Sequence, residues 1–444
     1  MSNLLAARLQ MAISLGFHII FAVIAMAMPL LMVVAEWRFI RTGDALYRDL
    51  AKRWCKGTAI MFAVGAVSGT VLSFELGLLW PTFMKHAGPV IGMPFSMEGF
   101  AFFLEAIFLG IYLYGWERVP PRAHWFSGVM VLVSGTLSGI FVVCANAWMN
   151  TPRGFRIVDH KIVDIDVWAA MFNPAAFSQA LHMTLAAFAS VGFAVAAVHA
   201  YALLKGSANA FHRRALEIAL LVGAVAALGQ LVSGDISAKH VAKHQPIKFA
   251  ALEAHWETTR GAPARIGGWP DQKREITRFS IEIPYLLSVL AFNDPHAEVK
   301  GLKSVPRELR PPVLVTHLAF QLMVGCGVFL ALVALLAGWL RLRKIDVASR
   351  RWFLRLLAAS GPLGFIAIEA GWTVTEVGRQ PYVIQGLMRT RSAVTPMPAL
   401  IIPLVAFCLL YLFLGAIVAV LLKRHVFLTV VPAAEAPSVP GGAR

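Results

Sequence analysis

The chain has 444 residues, 58% of them hydrophobic and 14% charged, with a mean hydropathy of +0.68. A soluble domain needs a more charged surface, so the composition excludes one and points to a polytopic membrane protein. The formal net charge of +16 does not mark a nucleic-acid-binding protein, because the basic residues are dispersed between hydrophobic stretches.

A bilayer core takes about 20 apolar residues per helix. Nine stretches reach that length, near 14–36, 57–80, 95–116, 125–148, 176–203, 216–234, 313–340, 354–375 and 398–423. The first is too long for a cleavable signal peptide and runs into a basic loop. Alternate loops carry most of the Lys and Arg, among them Arg38, Arg41, Lys52, Arg53, Arg118, Arg122, Arg213, Arg214, Arg341, Arg343, Arg350 and Arg351. The positive-inside bias therefore expects a periplasmic N-terminus and a cytoplasmic C-terminus.

The fold expected is an all-α bundle: helices one to six in 1–234, a long outer loop in 235–312, and helices seven to nine in 313–431. In the loop, Phe249, Trp256, Trp269, Phe279, Ile281, Ile283 and Tyr285 predict a folded lid. His240 and His244 have the spacing of a metal pair but lack a third ligand, so the reading is a solvated pair. The tail 432–444, rich in Ala, Pro and Gly, reads as disordered. Cys144, Cys326 and Cys408 fall in spans and Cys55 in a basic loop, and the lack of a C-x-x-C-H run argues against covalent haem attachment.

Ionisable groups inside spans are costly and mark functional sites by default. With helices alternating in direction, His18, Glu98, Glu105, His182, Met323 and Glu376 are expected to share the outer half of the bilayer. Haem iron accepts axial His, Met or oxygen ligands, and a His/Met pair gives a six-coordinate electron-transfer centre, which His182 and Met323 could form. His18 and Glu376 remain as one-ligand candidates. Glu98 and Glu105 are seven residues apart, so their carboxyls face one side of a helix, as a proton relay requires. The bland alternatives are packing for Met and His and helix-pairing hydrogen bonds for the carboxyls.

These residues lie within a wider pattern. It comprises Arg8-Leu9-Gln10 upstream of His18, Glu98-Gly99 with Phe102-Phe103-Leu104-Glu105, and Asn146-Ala147-Trp148-Met149. It continues through Gly234-Asp235, Lys248, Glu253-Ala254, Trp256-Glu257-Thr258, Pro270-Asp271-Gln272 and Ile283-Pro284-Tyr285, and ends in Glu369-Ala370-Gly371-Trp372, Glu376 and Gly378-Arg379-Gln380-Pro381. Along nearly its whole length the chain resembles cytochrome bd ubiquinol oxidase subunit I, the haem-bearing subunit of a quinol:oxygen oxidoreductase.

The resemblance implies three haems: a low-spin haem b held by His182 and Met323, and two at the oxygen site held by His18 and Glu376, one a high-spin haem b and the other haem d or a third haem b. Which of His18 and Glu376 holds which stays open. It further implies Trp372 and Arg379 beside that centre, Glu98, Glu105 and Ser138 in proton transfer, and Lys248 and Glu253 at the quinol. Quinol oxidised at the outer face, and dioxygen reduced to water with cytoplasmic protons, would generate proton motive force without pumping. The implied partner is an obligate second membrane subunit, subunit II; whether a small single-span subunit joins it stays open.

Three departures stand out: a short loop, as in the cyanide-insensitive branch; Gln321 where long-loop members carry Arg; and Tyr382 where Trp is usual. Without a cation beside it, the low-spin haem is expected at a lower potential, which allows a quinol other than ubiquinol. The competing class is a proton-coupled secondary transporter, for which inverted repeats and broken helices at the midplane would be expected. A haem-copper oxidase needs an adjacent His pair, and no His-His dipeptide occurs.

Overall fold

The computed structural model describes residues 1–159, 161–206 and 210–427. The tail expected to be disordered, 432–444, lies outside the described residues. Nine membrane-length apolar helices occur among those described. The first four are α1 (Asn3–Thr42), α2 (Ala45–Leu79), α3 (Pro81–Tyr114) and α4 (Pro121–Asn150). A hairpin of β1 (Arg156–Val158) and β2 (Lys161–Val163) and a short α5 (Val167–Met171) lead into α6 (Ala176–Leu204) and α7 (Ala210–His244).

Local chemistry sets several boundaries. Ser2 caps α1 by accepting from the Leu5 N–H, and Gly43 ends it in a left-handed conformation, its N–H donating to the Phe39 carbonyl. Asp44 at once caps α2. Pro81 opens α3, where its missing N–H costs nothing. Between α6 and α7 the backbones touch: a Cβ on Gly192 would lie 2.5 Å from the Gly223 Cα. Such glycine contacts replace the hydrophobic driving force that lipid cannot supply.

The outer loop is built from α8 (Pro246–Leu252), β3 (Thr259–Arg260), β4 (Ala264–Asp271), β5 (Ile276–Ile283), α9 (Leu286–Phe292) and β6 (Glu298–Val299). β4 and β5 form an antiparallel hairpin in register from Ala264–Ile283 to Asp271–Ile276, and β3 pairs with β6. The last spans are α10 (Val313–Leu342), α11 (Arg351–Ser360) with α12 (Leu363–Val377), and, beyond the small hairpin β7 (Tyr382–Ile384) and β8 (Met388–Arg389), α13 (Ile401–Leu422).

Four expectations need correction. Residues 235–244 continue α7 as helix, and Cys55 lies buried within α2 rather than in a loop. Hydropathy sees only the apolar middle of a helix, whereas hydrogen bonding carries these helices past it. The eighth span, read as one segment, is two helices, because Pro362 lacks the N–H and crowds the preceding turn.

The loop is folded, but only part of its apolar set packs inside. Phe249 and Trp256 are buried, whereas Trp269, Phe279, Ile281 and Tyr285 are exposed, Phe279 at 90%. Alternation along the hairpin turns one face outward. α1 begins at Asn3 and α3 at Pro81, so His18 lies about 22 Å along its helix, and Glu98 and Glu105 about 26 and 36 Å along theirs.

Candidate functional site

α12 is the hub. Glu376, its penultimate residue, accepts from Asn146 Nδ2 through Oε1 at 2.5 Å and from Arg379 Nη2 through Oε2 at 2.5 Å. Two motifs separated by over two hundred residues, Asn146-Ala147-Trp148-Met149 and Gly378-Arg379-Gln380-Pro381, thus meet on one carboxylate. Arg379 is 2% exposed, and its Nε and Nη1 have no protein partner among the described residues. A buried cation with two free donors is suited to a second anionic group. Trp372, one turn before Glu376, packs on the main core.

Lys248 closes this cluster from the loop side. Its Nζ donates to Asn150 Oδ1 at 3.1 Å and to the Thr375 carbonyl at 3.2 Å. Burial, with Arg379 nearby, pushes its ammonium down to about 7, and Glu376 opposes the shift. Glu253, at the end of α8, is also buried; desolvation pushes its carboxyl up to about 7 against the pull of Arg265.

His18 and His182 share one arrangement. The Ser68 hydroxyl donates to the Val64 carbonyl at 3.0 Å and faces His18 Nδ1 at 2.9 Å. Ser233 donates to the Gln230 carbonyl at 3.1 Å and faces His182 Nδ1 at 3.1 Å. With its hydrogen on a carbonyl, each hydroxyl can accept from an Nδ1–H, which leaves Nε2 with the lone pair that ligates a metal. Gln230 Nε2 stands 3.0 Å from His182 Nε2 and 3.2 Å from its Nδ1, and Gln230 Oε1 accepts from Ser233 at 3.2 Å.

Small residues stand against the candidate ligands. A Cβ on Gly69 would lie 3.0 Å from His18 Cε1, one on Gly371 3.1 Å from Met323 Sδ, and one on Gly234 3.7 Å from His182 Cε1. An apolar cleft of about 440 Å³ lies between α1, α10 and α12, with Glu369 as the one ionisable group in its lining. Imidazole, thioether and carboxylate donors, glycine-flanked space and an unpaired buried guanidinium fit haems with anionic propionates. The four candidate ligands lie on α1, α6, α10 and α12, and no hydrogen bond among the described residues joins one to another.

On α3, Glu98 accepts from Ser138 at 3.3 Å, and the Glu105 carboxyl lies against Gly135 of α4.

Sequence reasoning missed two groups that dock the loop. His317 meets the Leu252 carbonyl through Nδ1 at 2.7 Å and the Gly267 carbonyl through Nε2 at 3.0 Å. Gln321 accepts from the Gly267 N–H at 3.1 Å and donates to the Arg265 carbonyl at 2.9 Å. His317 lies six residues and Gln321 two residues before Met323, so the loop is clamped to the helix that carries a candidate ligand. Their four-residue spacing, which puts both on one face at the outer start of a span, was the available signal. In the sequence Glu369 carries no signal beyond its place in the Glu369-Ala370-Gly371-Trp372 run.

Residues 6–429 match the family model for cytochrome bd terminal oxidase subunit I. A Bacillus subtilis chain named as a cytochrome bd menaquinol oxidase subunit I is 38% identical over 430 residues, spanning 96% of this chain and 97% of that one. Cytochrome bd ubiquinol oxidase subunit 1 of the same organism is 34% identical over 441 residues, covering 96% and 94%. The structure of bd oxidase from Geobacillus thermodenitrificans superposes with a TM-score of 0.90 at 41% identity, covering 95% of this chain and 98% of that one. The transporter reading finds no support in these likenesses. With match and fold in agreement, the chain belongs to the cytochrome bd terminal oxidase subunit I family, multi-pass membrane proteins of haem-dependent quinol oxidases.

Proposed function

We propose that this chain oxidises quinol at the outer membrane face and delivers the electrons to dioxygen, with His182 and Met323 as the axial pair of a low-spin haem b, and His18 and Glu376 as ligands of two haems at the oxygen site. The observation that carries this reading is the buried cluster of Asn146, Glu376, Arg379 and Lys248, which joins the outer loop to a candidate ligand inside the membrane. When bound, haem supplies one-electron transfer and, where a coordination position stays open, oxygen chemistry.

The rest is the work of the chain's own residues. Glu253, with its carboxyl near neutrality, takes a proton as quinol gives up its electrons. Arg379 would balance propionate charge when haem is bound, and Trp372 would supply an aromatic ring beside it. Glu98, Glu105 and Ser138 hold and pass protons drawn from the cytoplasm, with the N-terminus outside in line with the basic loops. A second membrane subunit, subunit II, would cover the sparsely buried faces of α2, α3 and α13, where Thr70, Ser73 and Ser96 are exposed polar residues on apolar helices.

The test is a dithionite-reduced minus oxidised spectrum of the purified complex with pyridine haemochrome analysis. Low-spin b bands with a red-shifted chlorin band indicate haem d at the oxygen site, and b bands alone a third haem b. A preparation without haem would end the oxidase reading. Turnover with menaquinol and ubiquinol analogues decides the quinol type.

The pH dependence follows from Glu253. Its carboxyl, raised to about 7, stays protonated below that pH and cannot accept from quinol, so the rate is expected to climb as the outer pH rises through 7. In Glu253→Gln the rate falls by about 10² and the inflection disappears, with the haem spectrum unchanged. Stopped-flow quinol oxidation across pH 5.5–8.5, about three decades of proton activity, checks both. An unaltered inflection in the variant would remove Glu253 from this role.

A further inference from the structure

Three side chains of α3 stand at seven-residue intervals on one face: Glu98, Glu105 and Tyr112, each about 10.5 Å from the next along the axis. α4 runs antiparallel beside them and answers each in turn. Ser138 bonds to Glu98, a Cβ on Gly135 would lie 2.9 Å from Glu105 Oε1, and one on Gly128 would lie 2.6 Å from the Tyr112 ring. Gly128 and Gly135 are themselves seven residues apart, so the seam is kept open by glycine wherever α3 places a bulky proton-bearing group.

Beyond Tyr112 the row continues into a buried pair. His124 Nε2 meets the Tyr112 carbonyl at 2.9 Å, and Nδ1 meets Glu36 Oε1 at 2.7 Å. A carbonyl only accepts, so Nε2 carries a hydrogen and one proton is shared between Nδ1 and Glu36. The Tyr112 hydroxyl donates to the Met32 carbonyl at 3.5 Å, on the helix that carries Glu36, and lies close enough to feel that carboxyl. The Tyr112 and Trp116 rings approach the imidazole, with centroids 4.5 and 4.1 Å away, and Lys52 lies over Trp116 and beside Glu117 at the protein surface. Glu36 and His124 are each 2% exposed, and neither Glu36 Oε2 nor Glu105 Oε1 has a protein partner among the described residues. Buried carboxyl oxygens in that position hold a proton or bond to internal water. A pair that served packing alone would gain nothing from such oxygens.

We propose that Glu36, His124 and Tyr112 form the cytoplasmic intake of a proton line that continues along the α3–α4 seam to Glu105 and Glu98. This rests on the orientation and on the Glu98 and Glu105 roles given above. A proton taken up by the Glu36–His124 pair displaces one to the Tyr112 hydroxyl, which accepts it and releases its own toward Glu105, so each group ends with the protons it began with. Long helical side chains lean toward the helix N-terminus, which tilts Tyr112 toward Glu105 and Glu105 toward Glu98.

The experiment uses the purified complex in proteoliposomes, with Tyr112→Phe, Glu36→Gln, Glu36→Asp and Glu105→Gln compared for turnover, solvent isotope effect and haem spectrum. The expected result is that Tyr112→Phe, Glu36→Gln and Glu105→Gln each slow oxygen consumption at least tenfold, a drop that exceeds one 1.36 kcal/mol step in barrier. The isotope effect rises, spectra stay intact, and Glu36→Asp recovers part of the rate. Normal turnover in Tyr112→Phe and Glu36→Gln beside a slow Glu105→Gln would overturn the intake while leaving the Glu105 role standing. Normal turnover in Glu105→Gln would overturn both. Slow variants that lose haem with no change in isotope effect, in Glu36→Asp as well, would show a purely structural pair and overturn the intake too.

Discussion

Replacing Arg379 with Gln is expected to lower quinol-dependent oxygen consumption by two to three orders of magnitude. Arg379 is 2% exposed and donates to Glu376 at 2.5 Å. Removing one partner of a buried charge pair leaves the other uncompensated, at a cost of about 3–5 kcal/mol, and each 1.36 kcal/mol is about tenfold in rate. Asn146 alone would remain on the Glu376 carboxylate. Arg379→Lys keeps the charge but loses the planar fork, so it is expected to recover only part of the activity. An oxygen electrode gives the rate, and pyridine haemochrome the haem-to-protein ratio. Full activity in Arg379→Gln would remove the guanidinium from the oxygen site.

The second large effect is at His182. His182→Ala is expected to abolish the low-spin b absorption and bring quinol-dependent turnover to background, while absorption assigned to His18 and Glu376 persists. The reason is specific to the ring: with Ser233 accepting from its Nδ1–H, Nε2 is free to ligate. Ser233→Ala, which frees the tautomer but spares the imidazole, is expected to weaken haem retention by about 10- to 100-fold, visible as bleaching under dilution. If the low-spin band survives in His182→Ala, another residue faces Met323. The measurement is the reduced-minus-oxidised spectrum of membranes expressing each variant.

Different physical scales explain why part of this protein could be read in one dimension and part could not. The nine spans were legible because burial in lipid demands about 20 apolar residues at a stretch, a signal local to each segment. The heptad spacing of Glu98 and Glu105 and the candidates His18, His182 and Glu376 stand out in the sequence for a similar reason, since a costly polar group contrasts with apolar neighbours, whereas Met323, one of 16 methionines, is singled out only by the family resemblance and the pairing it offers His182. The helix ends were less so. Residues 235–244 and the turn around Cys55 are polar yet helical, since backbone hydrogen bonds take no account of hydropathy.

Only the tertiary structure decided who meets whom. Asn146 and Glu376 lie 230 residues apart and touch. Gln321 shows a departure in sequence and, in space, a clamp on the loop. Lys248 was assigned to an outer loop, where a lysine is ordinarily solvated; it is instead buried against Thr375 and Asn150, because α8 turns inward over the end of α12. His124, Glu36 and Tyr112 come from three separate helical segments and give no periodic signal together. The sequence by itself determined that this chain spans the membrane and which polar side chains lie within it, because both follow from local transfer free energy. The packing of α1, α3, α4 and α12 decided which of those side chains share a proton or a charge, because such contacts depend on distances between segments that no stretch of sequence contains.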